Sequence, residues 1–265
     1  MGKKREKEIS QEYGISQRTL IRWFKPFWQE KIKPKNINIS NLNLIIDGKY
    51  LDKNIVCLIG VVGKKVVNWK FLNGENYLTW ISFFLSLKTI PFSIVCDGQR
   101  GMLKAIKQLF PSVIIQRCQF HVIKYCLAKL TRNPESEAGQ ILRSLVLNIS
   151  KVKTKDDLDN WINDFKNWYF KYNNFLNEKT YSFSLTPTGK RKWHYTHKNL
   201  HSCFAHLKNS LPHLFQYINH PQIPNTTNLL EGGINSQIQH LIVNHRGLNL
   251  NQRKYLISLF LSKKQ

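Results

Sequence analysis

Apolar positions along this chain change period near its middle, from strand-like runs to helical stripes. Segments 42–50, 54–62 and 65–72 are rich in Val, Ile and Leu. Between them lie Asp52-Lys53-Asn54 and Gly63-Lys64, residues that favour turns, so three successive antiparallel strands are predicted. In 77–87 the residues Leu78, Ile81, Phe84 and Leu85 recur at helical spacing. Thereafter 92–96 reads as a buried strand, 99–110 as a helix and 112–117 as a strand, an alternation that implies parallel pairing. From about Thr131 to Pro224 strand signals give way to helical ones. Thr154 and Asp157 form a capping box, and Leu158, Trp161, Ile162, Phe165, Trp168, Tyr169 and Tyr172 trace a stripe expected to be core. Near the start, two helices are predicted around Gly14, the second capped by Ser16. Leu20, Trp23, Phe24 and Phe27 share one face of it, leaving Gln17, Arg18 and Arg22 directed elsewhere, as a recognition helix would present them to a DNA groove.

Three antiparallel strands followed by helix, strand, helix, strand is the order expected of a ribonuclease-H-like mixed α/β sheet, an order that other mixed folds also allow. The expected organisation is a partial helix-turn-helix DNA-binding segment at 1–30 and a linker at 31–41. An α/β domain at 42–265 follows, interrupted at about 131–225 by an all-helical insertion ahead of Glu231.

Charge narrows the partner. Forty Lys and Arg against 16 Asp and Glu give a formal charge of +24 over 265 residues, a field that binds nucleic acid in a salt-dependent way. With 42% hydrophobic residues there is enough apolar surface for a packed core, which excludes a disordered basic tail. Apolar runs such as 55–62 are too short to span a bilayer, and Met1-Gly2-Lys3-Lys4-Arg5 lacks the apolar core of a secretory signal. A cytoplasmic, nucleoid-associated protein with no membrane contact is therefore expected. Five cysteines at irregular spacing form no disulfide framework and suit a reducing compartment.

Against this cationic background a few carboxylates stand alone. Glu231 is the one acid between Lys179 and Gln265, and Asp97 the one between Glu75 and Glu135. Asp47 follows the apolar 44–46. An Asp-Gly pair is first of all a turn, but Asp52-Lys53-Asn54 already supplies the turn after Asp47, so Asp52 is assigned there and Asp47 to the strand. Asp97 precedes a predicted helix, at the carboxyl end of a parallel strand where open sheets place ligands. Glu231 could be an ordinary member of an amphipathic helix, yet its acid-free surroundings fit a metal ligand. Three such carboxylates suit two Mg²⁺ or Mn²⁺ ions serving in-line displacement at phosphorus. Cys118 and His121 form half a zinc site whose other half is not evident. His194, His197 and His201 have ligand-like spacing but lie in a basic region, where exposure or DNA contact is expected. Lys190-Arg191-Lys192 running into Trp193 suits a phosphate backbone.

The ordered set Asp47, Asp97, Cys118-x-x-His121, Trp193-His194-Tyr195-Thr196-His197-Lys198, Thr227-Asn228-Leu229-Leu230-Glu231 and Asn244-His245-Arg246-Gly247-Leu248 resembles bacterial insertion-sequence transposases akin to Mutator-like elements, from about Leu42 to Leu261. That resemblance implies a ribonuclease-H-like DDE domain that cuts transposon ends with water and joins the freed 3′-hydroxyl to target DNA. It implies Asp47, Asp97 and Glu231 as catalytic residues holding two Mg²⁺ or Mn²⁺ ions, and Cys118 and His121 supporting the site or positioning DNA. DNA contacts fall to Gln17, Arg18, Arg22, Lys190, Arg191, Lys192, Trp193 and Arg246, on double-stranded transposon ends and target. A homo-oligomer is implied because two ends must be synapsed. Such relatives often carry a cysteine-rich module ahead of the helix-turn-helix, and no cysteine precedes Cys57 here. The alternatives are a ribonuclease-H-like nuclease and a truncated or domesticated DNA-binding protein without transposition activity.

Overall fold

The computed structural model of the chain describes residues 6–35, 37–185, 189 and 191–265. After helices α1 (Glu6–Glu12) and α2 (Gln17–Phe24) come β1 (Asn43–Tyr50), β2 (Ile55–Val62), β3 (Lys65–Asn73), α3 (Tyr77–Phe84), β4 (Ser93–Cys96), α4 (Arg100–Leu109) and β5 (Ile114–Arg117). The strands form one sheet in the order β3-β2-β1-β4-β5, antiparallel from β3 to β1 and parallel from β1 to β5. The predicted meander and the predicted alternation are both present.

Period-two alternation sorts β1 between two cores. Leu44 and Ile46 pack with Val56, Leu58, Trp80, Phe83, Phe84, Met102 and Ile106 beneath α3 and α4. Ile45 faces the other way, joining Cys57, Ile59, Leu230, Ile234, Ile238, Ile257 and Leu261. Truncating a fully buried ring such as Phe83 to alanine would cost about 3–5 kcal/mol. Continued to the strand's end, the same parity turns Asp47 toward the second face and leaves Gly48 on the first.

A second lobe follows β5, built from α5 (Gln119–Leu130), α6 (Glu137–Asn148), α7 (Lys155–Leu176), β6 (Lys179–Leu185), β7 (Arg191–Tyr195), α8 (Lys198–Ser210) and α9 (Gln216–Asn219). The Thr154–Asp157 capping box starts α7, and Trp161, Phe165, Trp168 and Tyr172 are buried in this lobe's core as expected. An all-helical lobe was not obtained, because β6 and β7 pair as an antiparallel hairpin with Tyr181 opposite Trp193. Thr180, Tyr181, Phe183, Trp193 and Tyr195 are strand formers. The hairpin lies exposed, with Phe183 fully so, and therefore carries no one-sided apolar alternation to announce a strand.

The chain then returns through a π-helical turn (Leu229–Asn235), α10 (Ser236–Asn244) and α11 (Leu250–Ser262), which cover the second face of the sheet. At the other end Ser16 caps α2 by accepting from Thr19 N at 3.0 Å. Of the predicted apolar face only Leu20 is buried, whereas Trp23, Phe24 and Phe27 are exposed by about half. Segment 31–41, expected to be a linker, has no helix or strand among its described residues but lies against the sheet domain. Ile39 is buried in the first core, and Lys35 N donates to Gln265 Oε1 at 2.9 Å. No described helix is long and apolar enough to cross a membrane.

Candidate active site

Beyond Ile45 of β1 and Val95 of β4 the register of the two parallel strands ends, and Asp47 and Asp97 each stand two residues past that point. Asp47 Oδ2 accepts from Asn235 Nδ2 at 2.6 Å, which ties β1 to the π-helical turn. Burial, then the Glu231 carboxylate and to a smaller extent that of Asp97, push the Asp47 carboxyl up to about 7. Asp97 directly follows β4, and its Oδ1 accepts from Gln99 N at 2.9 Å. Gly98 has φ +82°, in the left-handed region open to glycine, and a side chain there would strike the Arg117 guanidinium. Arg117 is buried and braces the turn, donating to the Asp97 carbonyl at 3.0 Å and to Ser210 Oγ at 2.7 Å.

Glu231 arrives from the opposite side of the sequence on the π-helical turn, one wide turn before Asn235. A π-turn closes on residues farther apart than an α-turn and commonly marks functional positions. Glu231 Oε1 accepts from Thr227 Oγ1 and lies 3.5 Å from His121 Nδ1. The Cys118 sulfur, fully buried, accepts from Thr227 N and Thr227 Oγ1, each at 3.3 Å. Burial alone would push the Cys118 thiol up, but His121 and Thr227 outweigh it and the net direction is down. Contact with the Cys118 sulfur raises His121 to about 9 against the effect of burial, and the Cys118, Glu231 and Asp47 charges add to it. Ligand atoms of Cys118, His121 and Glu231 all lie within 4.8 Å of one another, close enough to hold a metal ion. Glu231 adds a third ligand to the Cys-x-x-His pair, and among the described residues no other three of His, Cys, Asp and Glu, the Asp47, Asp97 and Glu231 set included, come this close.

A fourth carboxylate escaped the reading of the sequence. Glu75 precedes α3, and a side chain built on Gly48 would collide with its carboxyl group. Burial, then the charges of Asp97 and Asp47, push Glu75 up to about 7. No local motif announces it, since its approach depends on α3 being laid across the strand ends. Among the described residues no lysine or arginine forms an ion pair with Asp47, Glu75, Asp97 or Glu231. The cation these carboxylates do meet is His121, raised to about 9 and 3.5 Å from Glu231.

Other expected site residues lie elsewhere. Gln17, Arg18 and Arg22 are exposed on α2, and Arg246 is exposed on the turn between α10 and α11, near which α2 also lies. Arg191, Lys192 and Trp193 are exposed on β7, with Lys179 Nζ 4.2 Å from the Trp193 ring centroid, while Lys190 lies outside the described residues. His197 pairs with Glu178 at 2.9 Å and His201 stacks on Tyr195, so these histidines have partners other than a metal. Asp52 caps its own turn through Lys53 N, as assigned. All five cysteines are free and buried.

Fold and site together define a mixed α/β protein with a carboxylate cluster at the carboxyl ends of its central strands. Residues 46–203, more than half of the chain, match the family model described as Transposase, Mutator family. The chain belongs to that family. The matched stretch contains Asp47, Glu75, Asp97, Cys118 and His121 and ends before Glu231, whose place in the site rests on the geometry. Two curated relatives are the transposases for insertion sequence element IS256 in transposon Tn4001 from Staphylococcus aureus and from Enterococcus faecalis (strain ATCC 700802 / V583). Each is 27% identical over 85 residues, covering 29% of this chain and 22% of the relative. The similarity therefore spans less than a quarter of those relatives' own length.

Proposed function

We propose that this chain carries a ribonuclease-H-like DDE transposase domain over about 42–265, in which Asp47, Asp97 and Glu231 serve cleavage at transposon ends and transfer of the 3′-hydroxyl strand into target DNA. Domain 42–265 is interrupted by the second lobe, with 1–30 as a partial helix-turn-helix. The observation that supports the reading is that Asp47 feels the charges of both Glu231 and Asp97, carboxylates from two other stretches of the chain, and that none of the three pairs with a lysine or arginine among the described residues of this strongly basic family member. Asp47, Asp97 and Glu75 offer oxygens at the strand ends, which suit hard divalent cations such as Mg²⁺ or Mn²⁺, while Glu231 stands beside the sulfur and nitrogen of Cys118 and His121. Asp47, Asp97 and Glu231 would hold two such ions, which when bound would activate the attacking oxygen and stabilise the leaving one.

The remaining steps belong to the protein. Asn235 fixes one oxygen of Asp47, Gln99 N fixes one of Asp97 and Thr227 fixes one of Glu231, so each carboxylate presents a defined free edge. Arg117 holds the Asp97 carbonyl rather than its carboxylate, which stiffens the turn without neutralising the ligand. His121 faces Glu231 from the helical lobe, and it supports that carboxylate's orientation. Arg191 and Lys192, with Trp193 beside them, and Arg246 would hold DNA phosphates, Gln17, Arg18 and Arg22 of α2 would face a DNA groove, and a homo-oligomer would bring two ends together.

The test is nicking and joining by the purified chain. A labelled duplex ending in the inverted repeats that flank its gene, with a pre-cut 3′-hydroxyl, is incubated with supercoiled plasmid and Mg²⁺ or Mn²⁺. Joined product is expected from the wild type and none from Asp97→Asn. Cutting without joining would favour a nuclease of the same fold, and unchanged nicking by Asp97→Asn would overturn the catalytic assignment.

A further inference from the structure

We propose that Glu75 is a fourth ligand-bearing carboxylate of this site, reaching the divalent cations from the face of the sheet opposite Glu231, through the space that Gly48 leaves open. The inference rests on the metal-holding reading above and adds a residue that reading does not use.

Parity along β1 is the first argument. Asp47 turns to the face covered by the π-helical turn, where Asn235 meets it, so Glu231 and Asn235 close the site from that side. Gly48 turns to the face covered by α3 and α4. Where its side chain would stand, the Glu75 carboxyl stands instead: an added Cβ would lie 2.6 Å from Glu75 Cδ and 3.1 Å from Oε2. Glycine inside a strand weakens it and often marks a close approach. Here the approaching group is a carboxylate that no lysine or arginine among the described residues neutralises.

The second argument is that the backbone of Glu75 is fixed from both neighbouring strand ends. Its N–H donates to Tyr50 Oη at 3.3 Å, and its carbonyl accepts from Gln99 Nε2 at 2.9 Å. Gln99 N also holds Asp97 Oδ1, and Gln99 Oε1 accepts from Trp80 Nε1 at 2.9 Å. One glutamine therefore sets the distance between Asp97 and Glu75. Gly101 lets the start of α3 come this close, because a Cβ there would lie 2.8 Å from Tyr77 N. Such bracing serves a side chain whose position matters, and a solvated glutamate would need none of it.

The experiment measures Mn²⁺ binding by electron paramagnetic resonance and calorimetry, without DNA, for the wild type, Glu75→Gln, Gly48→Ala and Asp97→Asn, with metal-free melting temperatures alongside. Glu75→Gln keeps the shape and removes the charge. It is expected to weaken Mn²⁺ binding about 10- to 100-fold while leaving the metal-free melting temperature at pH 8 unchanged or higher. Gly48→Ala, which displaces the Glu75 carboxyl, is expected to weaken binding in the same direction. If Asp97→Asn loses Mn²⁺ and Glu75→Gln binds it as the wild type does, Glu75 is no ligand and the three-carboxylate reading stands. If Asp97→Asn itself binds Mn²⁺ normally, both readings fall. A metal-free melting temperature that drops in Glu75→Gln, with Mn²⁺ affinity unchanged, would assign Glu75 a structural role and overturn the proposal.

Discussion

Metal-dependent stability should climb steeply with pH through the neutral range. Asp47 and Glu75 are each raised to about 7 from values near 4, so in the metal-free chain each binds its proton more tightly when folded than when unfolded. Their contribution to metal-free stability is then greatest below about pH 4 and is lost as pH rises through about 7. Divalent cations need the ionised forms, and the dependence on pH reverses. With a value of about 7, a carboxyl is roughly 3% ionised at pH 5.5 and roughly 97% at pH 8.5. Apparent Mn²⁺ affinity should rise about 30-fold over that range if one carboxyl must lose its proton and about 1000-fold if both must. These factors correspond to about 2 and about 4 kcal/mol. Because the carboxyls repel one another they titrate as a cluster, so the rise is spread over more than one pH unit. Differential scanning fluorimetry at fixed Mn²⁺ concentration, in half-unit steps from pH 5.5 to 8.5, reads it directly as a growing gap between metal-loaded and metal-free melting temperatures. A gap that stays constant from pH 5.5 to 8.5 would refute the claim that buried, mutually repelling carboxyls hold the metal.

Three further outcomes follow from single contacts. Arg117→Lys keeps the charge but loses the fork that holds Asp97 and Ser210, and should cost about 2–4 kcal/mol in urea unfolding; an unchanged midpoint would show that the guanidinium does not brace the turn. Cd²⁺ added over Mg²⁺ should inhibit nicking by drawing Glu231 toward Cys118 and His121. A thiolate–Cd²⁺ absorption band should accompany this and vanish in Cys118→Ser, and inhibition without that band would count against the sulfur. Reversing Arg191 and Lys192 to glutamate should weaken DNA binding alike for all sequences and lower the slope of log affinity against log salt by about 2, whereas a loss confined to one sequence would show base reading instead.

Legibility in the sequence followed the range of the interactions. The meander, the parallel strands and the capping box of α7 are set by local alternation and by residues three apart, so 42–117 and 154–172 could be read directly. Asp47 and Asp97 were visible because a charged residue ending an apolar run breaks a local pattern. The β6–β7 hairpin was hidden because it is solvated on both faces, and without a buried face period two carries no hydrophobic signal. The aromatic face of α2 misled in the opposite sense: the helical spacing was right, but the neighbouring turn between α10 and α11 leaves Trp23 and Phe24 exposed by about half. Glu75 was invisible for another reason. Its approach to β1 depends on Gly48 and Gly101, two positions far apart in sequence whose lack of a side chain matters only once α3 lies across the strand ends.

Holding Glu231 in place is a long-range problem that the helical lobe solves. Cys118 and Thr227 meet although 109 residues separate them. Closing a flexible loop of that length would cost about 4 kcal/mol or more. A lobe with its own buried core fixes both of its ends as it folds, so that cost is met by packing around Trp161, Phe165 and Trp168 rather than by contacts at the site. The junction is then stapled at three points. Cys118 N donates to the Cys96 carbonyl at 2.7 Å, Gln119 N to the Asn225 carbonyl at 2.9 Å, and Asn225 Nδ2 to Gln119 Oε1 at 3.1 Å. Cys96 immediately precedes Asp97, and Asn225 lies six residues before Glu231, so the same staples register one carboxylate against the other. Cys118 sits at the centre of them, buried and bonded to Thr227, which also holds Glu231. On this account Cys118 acts as the clasp that converts the folding of a remote lobe into the position of Glu231, with His121 facing that carboxylate.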